Sequence, residues 1–166
     1  MTILQAEPGN VAALEQLASV LSDVGDAGRL EPVVARLVRD APDNAWAHYY
    51  AASLFFIKDR PDQALQAARN AVTRDPNHAK ALNLIGASLA SMGQNDQARQ
   101  AFAASIAADP REPGTYTNLA TLELQTGNAD RARRYFAEAL TIDPSNETAR
   151  QGLASLIDSG KSHPNR

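Results

Sequence analysis

The chain has no cysteine. Disulfides, thiol catalysis and thiolate metal sites are therefore excluded, while the redox compartment is left open. Aromatic residues make up only 5%, and the alanine-rich remainder, without long β-branched runs, favours helix. No charge-free apolar stretch is longer than 45–57, which is too short to span a bilayer. The first ten residues, MTILQAEPGN, hold neither a basic region nor an apolar run. They read as no signal peptide, which favours a cytoplasmic location. Net charge is only −3, against the basic face that a nucleic-acid module needs. No glycine-rich phosphate loop occurs. At 166 residues, the chain suits one ordinary domain burying roughly 70% of its unfolded surface.

What is present is a ruler. Pro8, Pro42, Pro76, Pro110 and Pro144 are each 34 residues from the next, and three close an Asp-Pro pair. A fixed period of this size marks a repeat array. Placing each proline at position 32 gives units 11–44, 45–78, 79–112 and 113–146, without insertion or deletion. Small residues recur at place 8 (Ala18, Ala52, Gly86, Ala120) and at place 20 (Ala64, Ala98, Ala132, with Leu30 the exception). Large apolar residues recur at place 28: Val38, Val72, Ile106 and Leu140. Gly25, Gly93 and Gly127 share place 15, where a left-handed residue can end a helix. The proline stops each second helix.

Each unit therefore reads as helix, tight turn, helix, short turn. The spacing predicts helices over 11–23, 29–40, 45–57, 61–74, 79–91, 95–108, 113–125 and 129–142. Asn10, Asn44, Asn128 and Asn146 are expected to cap helix starts, and Pro61 and Pro113 suit the first helical position. Asp75, Asp109 and Asp143 precede the stop proline and read as structural. Residues 147–158 form a capping helix with Leu153, Leu156 and Ile157 as its apolar stripe, and 159–166 form a polar tail. Residues 1–10 read either as a native cap or as the end of an upstream repeat.

The pattern resembles the tetratricopeptide repeat (TPR) family, which takes large residues at places 4, 7, 11 and 24, small ones at 8, 20 and 27, and proline at 32. Unit 79–112 matches with Leu82, Ile85, Gly86, Leu89, Ala98, Phe102, Ser105 and Pro110. Unit 113–146 matches with Tyr116, Leu119, Ala120, Ala132, Phe136, Ala139 and Pro144, and departs at Glu123. Unit 45–78 has His48, Ala51 and Ala68 where larger residues are usual. Unit 11–44 is degenerate, with Leu30, Val34 and Leu37, and with Pro32 in the first turn of its second helix. The resemblance implies an all-α, right-handed superhelical array of antiparallel helix pairs, closed by the C-terminal capping helix. It also implies a concave face lined by the first helix of each unit at places 2, 5, 9, 12 and 13.

Function should follow from those places. Helix 45–57 carries Trp46, Tyr49, Tyr50, Phe56 and Ile57 on one face and His48, Ala51, Ala52 and Phe55 on another. Such a helix is apolar almost all round and should be covered on more sides than the fold needs. The aromatic rings either anchor a partner or pack inside the stack to compensate for His48, Ala51 and Ala68. Further along, the groove is polar and nearly uncharged. The candidate partner-binding set is Trp46, Tyr49, Tyr50, Ser53, Phe56, Lys80, Asn83, Ser91, Thr117, Asn118, Thr121 and Gln125. Amides there can serve the backbone of an extended peptide.

Catalysis is not expected, because nothing brings nucleophile, base and acid together. His48, His78 and His163 lie in separate contexts without ligand spacing. His48 reads as a satisfied packing residue and His78 as a turn residue. No metal or cofactor is expected. The Lys/Arg carboxylate clamp of some TPR modules is missing, since Glu15, Ser19, Tyr50, Lys80 and Leu84 occupy its places. Arg131, Arg133 and Arg134 read mainly as a solvated face. Glu123 needs a partner if covered, and Arg150 is the candidate. The reading is a non-catalytic module that binds a protein or peptide, with self-association or an architectural contact as the rival. Neither nucleic acid nor membrane insertion is expected.

Overall fold

The computed structural model describes residues 10–161. The expectations for residues 1–9 and for 162–166 lie outside the described residues. Nine helices and no strand occur among the described residues. They are α1 (Val11–Asp23), α2 (Ala27–Asp40), α3 (Ala45–Ile57), α4 (Pro61–Arg74), α5 (Ala79–Ser91), α6 (Asn95–Ala108), α7 (Pro113–Gln125), α8 (Ala129–Ile142) and α9 (Glu147–Lys161). Two bounds differ from the spacing. Asp26 caps α2 through Arg29 N–H at 3.0 Å, so the helix starts at Ala27 and Pro32 lies beyond its first turn. At the other end, α9 runs three residues past the expected stop at 158.

The punctuation is physical. Gly25, Gly93 and Gly127 take φ of 70°, 74° and 82°. Asp59 fills the same place with φ 54°, a conformation that costs a residue with a Cβ about 1 kcal/mol. The Asp-Pro aspartates each close their own turn. Asp75, Asp109 and Asp143 accept the N–H of Asn77, Arg111 and Ser145 at 3.0, 2.9 and 2.9 Å. Pro61 and Pro113 occupy the first turn of α4 and α7.

Helices pack in sequence, α1 on α2, α2 on α3, and so on to α9 on α8. The first helices also touch one another: α1 with α3, α3 with α5, α5 with α7, and α7 with α9. No second helix of a unit touches the next second helix among the described residues. Crowded first helices and splayed second helices curve the array, leaving the first helices on the concave side. Small residues allow the close approach. Ala18, Ala52 and Ala120 are fully buried, and a Cβ at Gly86 would meet the Phe102 ring at 2.5 Å. The capping helix turns Ala149, Leu153 and Leu156 onto the last unit. Ile157, expected on that stripe, is 53% exposed. The stripe follows spacings of three and four residues, which places Ile157 round the side.

Candidate partner-binding groove

The groove is assembled from the places that follow each helix start. Place 34 of every unit caps the next first helix. Asn44 accepts the N–H of Trp46 at 2.7 Å, and Asn146 accepts that of Ala149 at 3.0 Å. Glu112 accepts from Gly114 at 3.2 Å. His78 does the same with Nδ1, accepting from Ala81 at 3.4 Å. The cap residue also reaches back to place 5 of its own unit. Asn44 Nδ2 donates to Glu15 Oε1 at 2.6 Å, and Asn146 Nδ2 donates to Thr117 Oγ1 at 3.0 Å. At His78 the place-5 residue is Tyr49, and a ring stands where an acceptor would be. The rings lie 5.3 Å apart, and Nε2 is buried without a partner.

His78 is therefore more than a turn residue. It is 4% exposed and its ring lies 4.3 Å from Trp46. Trp46 meets Tyr49 edge-on at 5.6 Å, and Tyr49 meets Tyr50 at 5.1 Å. Burial lowers the His78 pKa, with Asp75 pulling weakly the other way. Burial likewise pushes the Tyr49 hydroxyl above its ordinary range. No spacing rule flagged His78; its fixed place as a helix cap was the available signal.

The aromatic face expected on α3 is split. Tyr50 is 5% exposed and belongs to the core with Ala47, Ala51 and Leu54. It is a packing residue, because it lies on their stripe and fills the space left by small neighbours. Tyr49 is half-buried beneath Trp46. Ser53 is tied to Ser22 by a hydroxyl–hydroxyl hydrogen bond. Trp46 keeps 40% of its surface in solvent. It borders a hollow of about 310 Å³ with His78, Lys80, Asp75, Asp109 and Glu112. Phe56 lies ten residues on, about 15 Å along the helix axis. His48 is satisfied, its Nε2–H donating to the Pro42 carbonyl at 2.7 Å.

Phe56 instead joins the middle of the concave face. There an open pocket of about 200 Å³ is lined by Phe56, Ala87, Ala90, Ser91, Phe102, Asn118, Thr121, Leu122 and Gln125. No charged side chain lines it. The hydroxyls of Ser91 and Thr121 donate to Ala87 and Thr117 carbonyls at 3.0 and 2.9 Å, so towards a partner they offer acceptors. Gln125 is exposed and contributes donors as well. Asn118 Nδ2 donates to Asn83 Oδ1 at 3.0 Å, bridging α7 to α5. Thr117 is 7% exposed and bonds to Pro113 and Asn146. It is a joint residue rather than open groove surface, because the place-34 amide claims it.

Two further expectations change. Glu123 does not pair with Arg150. Its Oε1 accepts from Arg99 Nε at 2.8 Å and its Oε2 from Asn128 Nδ2 at 2.7 Å. Arg99 also bonds Asp96 and Thr126, each at 2.9 Å. Burial raises the Glu123 pKa, but these bonds outweigh it and hold the carboxyl below its ordinary value. Arg150 is spent on Glu147 at 2.6 Å and on the Pro144 carbonyl at 2.9 Å. Asn128 stands at the N-cap of α8 but makes no side-chain cap bond there, its amide turning back to Glu123. Among the described residues, no group of carboxylates and histidines is placed to hold a metal ion. None of their helices is long and apolar enough to cross a membrane.

Comparison with known proteins fits this architecture. None of the curated proteins matches the chain. TTC0263, a thermophilic TPR protein of Thermus thermophilus, superposes with TM-score 0.81 at 23% identity, over 93% of this chain and 84% of that one. The structure titled for pilF of Pseudomonas aeruginosa gives TM-score 0.76 at 21% identity, over 92% and 69%. MamA gives 0.62 at 27% identity, over 86% and 78%. At under a quarter identity, the first two likenesses establish the fold alone. The tetratricopeptide repeat family model matches residues 16–79, 58–113 and 83–147. With most of its length so matched, the chain belongs to the tetratricopeptide repeat family.

Proposed function

We propose that the chain is a non-catalytic binding module whose concave face holds an extended peptide or protein segment. The observation that carries this is the uncharged pocket at the centre of that face, with its Phe56, Ala87, Ala90 and Leu122 floor and its Ser91, Asn118, Thr121 and Gln125 rim. Such a site offers an apolar socket for one side chain. Around it stand acceptors and amides suited to peptide backbone. Trp46 adds an exposed ring at the other end of α3, as binding anchors do. Neither nucleic acid nor a cofactor is required by this reading.

The test starts from peptides selected by display against the wild-type chain. Their affinity is then measured by calorimetry on wild type, Thr121→Trp and Gln125→Ala. Thr121→Trp should fill the pocket and weaken binding by at least roughly tenfold. Unchanged affinity in both variants would remove the groove from the account. Self-association is the second reading, favoured by the 40% exposure of Trp46. A dimer in sedimentation that Trp46→Ala abolishes would establish it.

A further inference from the structure

The outer helices α6 and α8 do not touch, and the convex face opens between them over α7. The opening is about 480 Å³, larger than the concave pocket, with Ile106, Tyr116, Leu119 and Tyr135 among its lining. Helix α7 serves both faces. Asn118, Thr121 and Gln125 look to the concave pocket. Tyr116, Leu119 and Glu123 look to the convex one, about 160° round a helix of 3.6 residues per turn.

The preceding unit differs at the same places. Where α6 has Ala103, α4 has Arg69; where α8 has Tyr135, α6 has Ala101; where α8 has Arg131, α6 has Gln97. A long side chain is thus missing from one wall, and a tyrosine and an arginine are added to the other. Charge marks one end. Arg99 is fully engaged, but Arg131 and Arg134 make no ion pair among the described residues. Together they border an adjoining hollow of about 390 Å³. Glu138, four residues after Arg134, does not pair with it, and Asp130 is taken by Arg133 at 2.9 Å. Arg131 acts on Glu123 through space, yet both exposed guanidiniums stand beside an apolar groove with no carboxylate in ion-pair contact among the described residues.

We infer that this convex groove docks a partner segment in which one bulky apolar side chain stands next to acidic residues. The apolar side chain enters between α6 and α8 over Leu119. The carboxylates meet Arg131 and Arg134, whose guanidinium forks suit carboxylate bidentately. This surface is separate from the concave groove, so either can stand without the other.

The experiment is an amide-shift titration of the ¹⁵N-labelled chain with acetyl-Glu-Glu-Gly-Phe-Gly-amide. A matched probe carries Lys in place of both Glu. The acidic probe should shift Ile106, Leu119, Arg131 and Tyr135 while leaving Ser91 and Gln125 still. Ala103→Gln, at an exposed position, fills the groove without adding charge and should weaken binding by roughly tenfold. Arg131→Gln/Arg134→Gln keeps the apolar floor and should remove the preference for Glu over Lys. No shift at millimolar probe, equal binding of the two probes, or indifference to Ala103→Gln would each overturn the inference. So would the same shifts appearing on concentrating the protein alone, which would make a second copy the occupant.

Discussion

The joint between the second and third units and the joint between the third and fourth use the same places for opposite chemistry. At the first, Leu65 packs against the apolar cluster that holds Leu89. At the second, the same two places carry Arg99 and Glu123, 2.8 Å apart. Both joints stack a first helix on the preceding pair, so the backbone tolerates either solution. The charged one demands more. Glu123 is 2% exposed, and both its oxygens need donors, which recruits Asn128 away from capping α8. The difference teaches that the period prescribes where side chains meet, while their identity decides what the neighbouring loop must do. It also leaves the convex side of the second joint open.

Breaking the charged joint from one side should have the largest effect. Arg99→Leu leaves Glu123 buried with only Asn128, and we expect a loss of about 2–4 kcal/mol in denaturant unfolding. Gly86→Ala attacks the close approach of α5 and α6. Phe102 is wholly buried and its ring would have to shift, so a cost of about 1–3 kcal/mol is expected despite the better helix propensity. Converting the second joint into the first sharpens the comparison. Arg99→Leu/Glu123→Leu should unfold within about 1 kcal/mol of wild type, or later. If the double variant is as weak as Arg99→Leu, the joints are not interchangeable.

The caps give a smaller contrast, visible in pH. The His78 pKa is lowered by burial from its ordinary 6.5, so protonation favours the unfolded chain. Its contribution is whole above about pH 6.5 and is lost as the pH falls below that value. The groups facing it are Trp46, Tyr49, Asp75 and Lys80, with Asp109 and Glu112 across the adjoining hollow. His78→Asn copies Asn44 and Asn146 and should remove that slope, read from thermal melts between pH 5 and 7. Glu123, held below its ordinary value, contributes above about pH 4.5 and loses its share only in more acid solution, so the two are separable. The smallest effect belongs to the turns. Asp59→Gly should stabilise by about 0.5–1 kcal/mol.

Most of the fold was legible because the 34-residue period carries its own turns, stops and small residues. Pro32 misled because a proline usually begins a helix, whereas here Asp26 begins it earlier. The site was less legible. One helix turn places Tyr50 and Trp46 on neighbouring stripes, and only packing against Ala47 and Leu54 decides that Tyr50 goes inside. Thr117 looked like groove surface until the amide of Asn146, 29 residues away, claimed it. His78 was hidden for the same reason, since its stacking on Trp46 and Tyr49 spans a whole unit. Arg99 lies 24 residues before Glu123, while Arg150 lies two helices on, in α9. Contacts 24 to 32 residues apart are not written in any local window of the sequence.

The most direct measurement is hydrogen exchange of the chain alone and with a display-selected peptide. Slowed exchange in α5 and α7, centred on Ser91 and on Asn118–Gln125, is the result predicted for a concave binding groove. Protection confined to the outer helices, or a selected peptide that protects nothing, would contradict it.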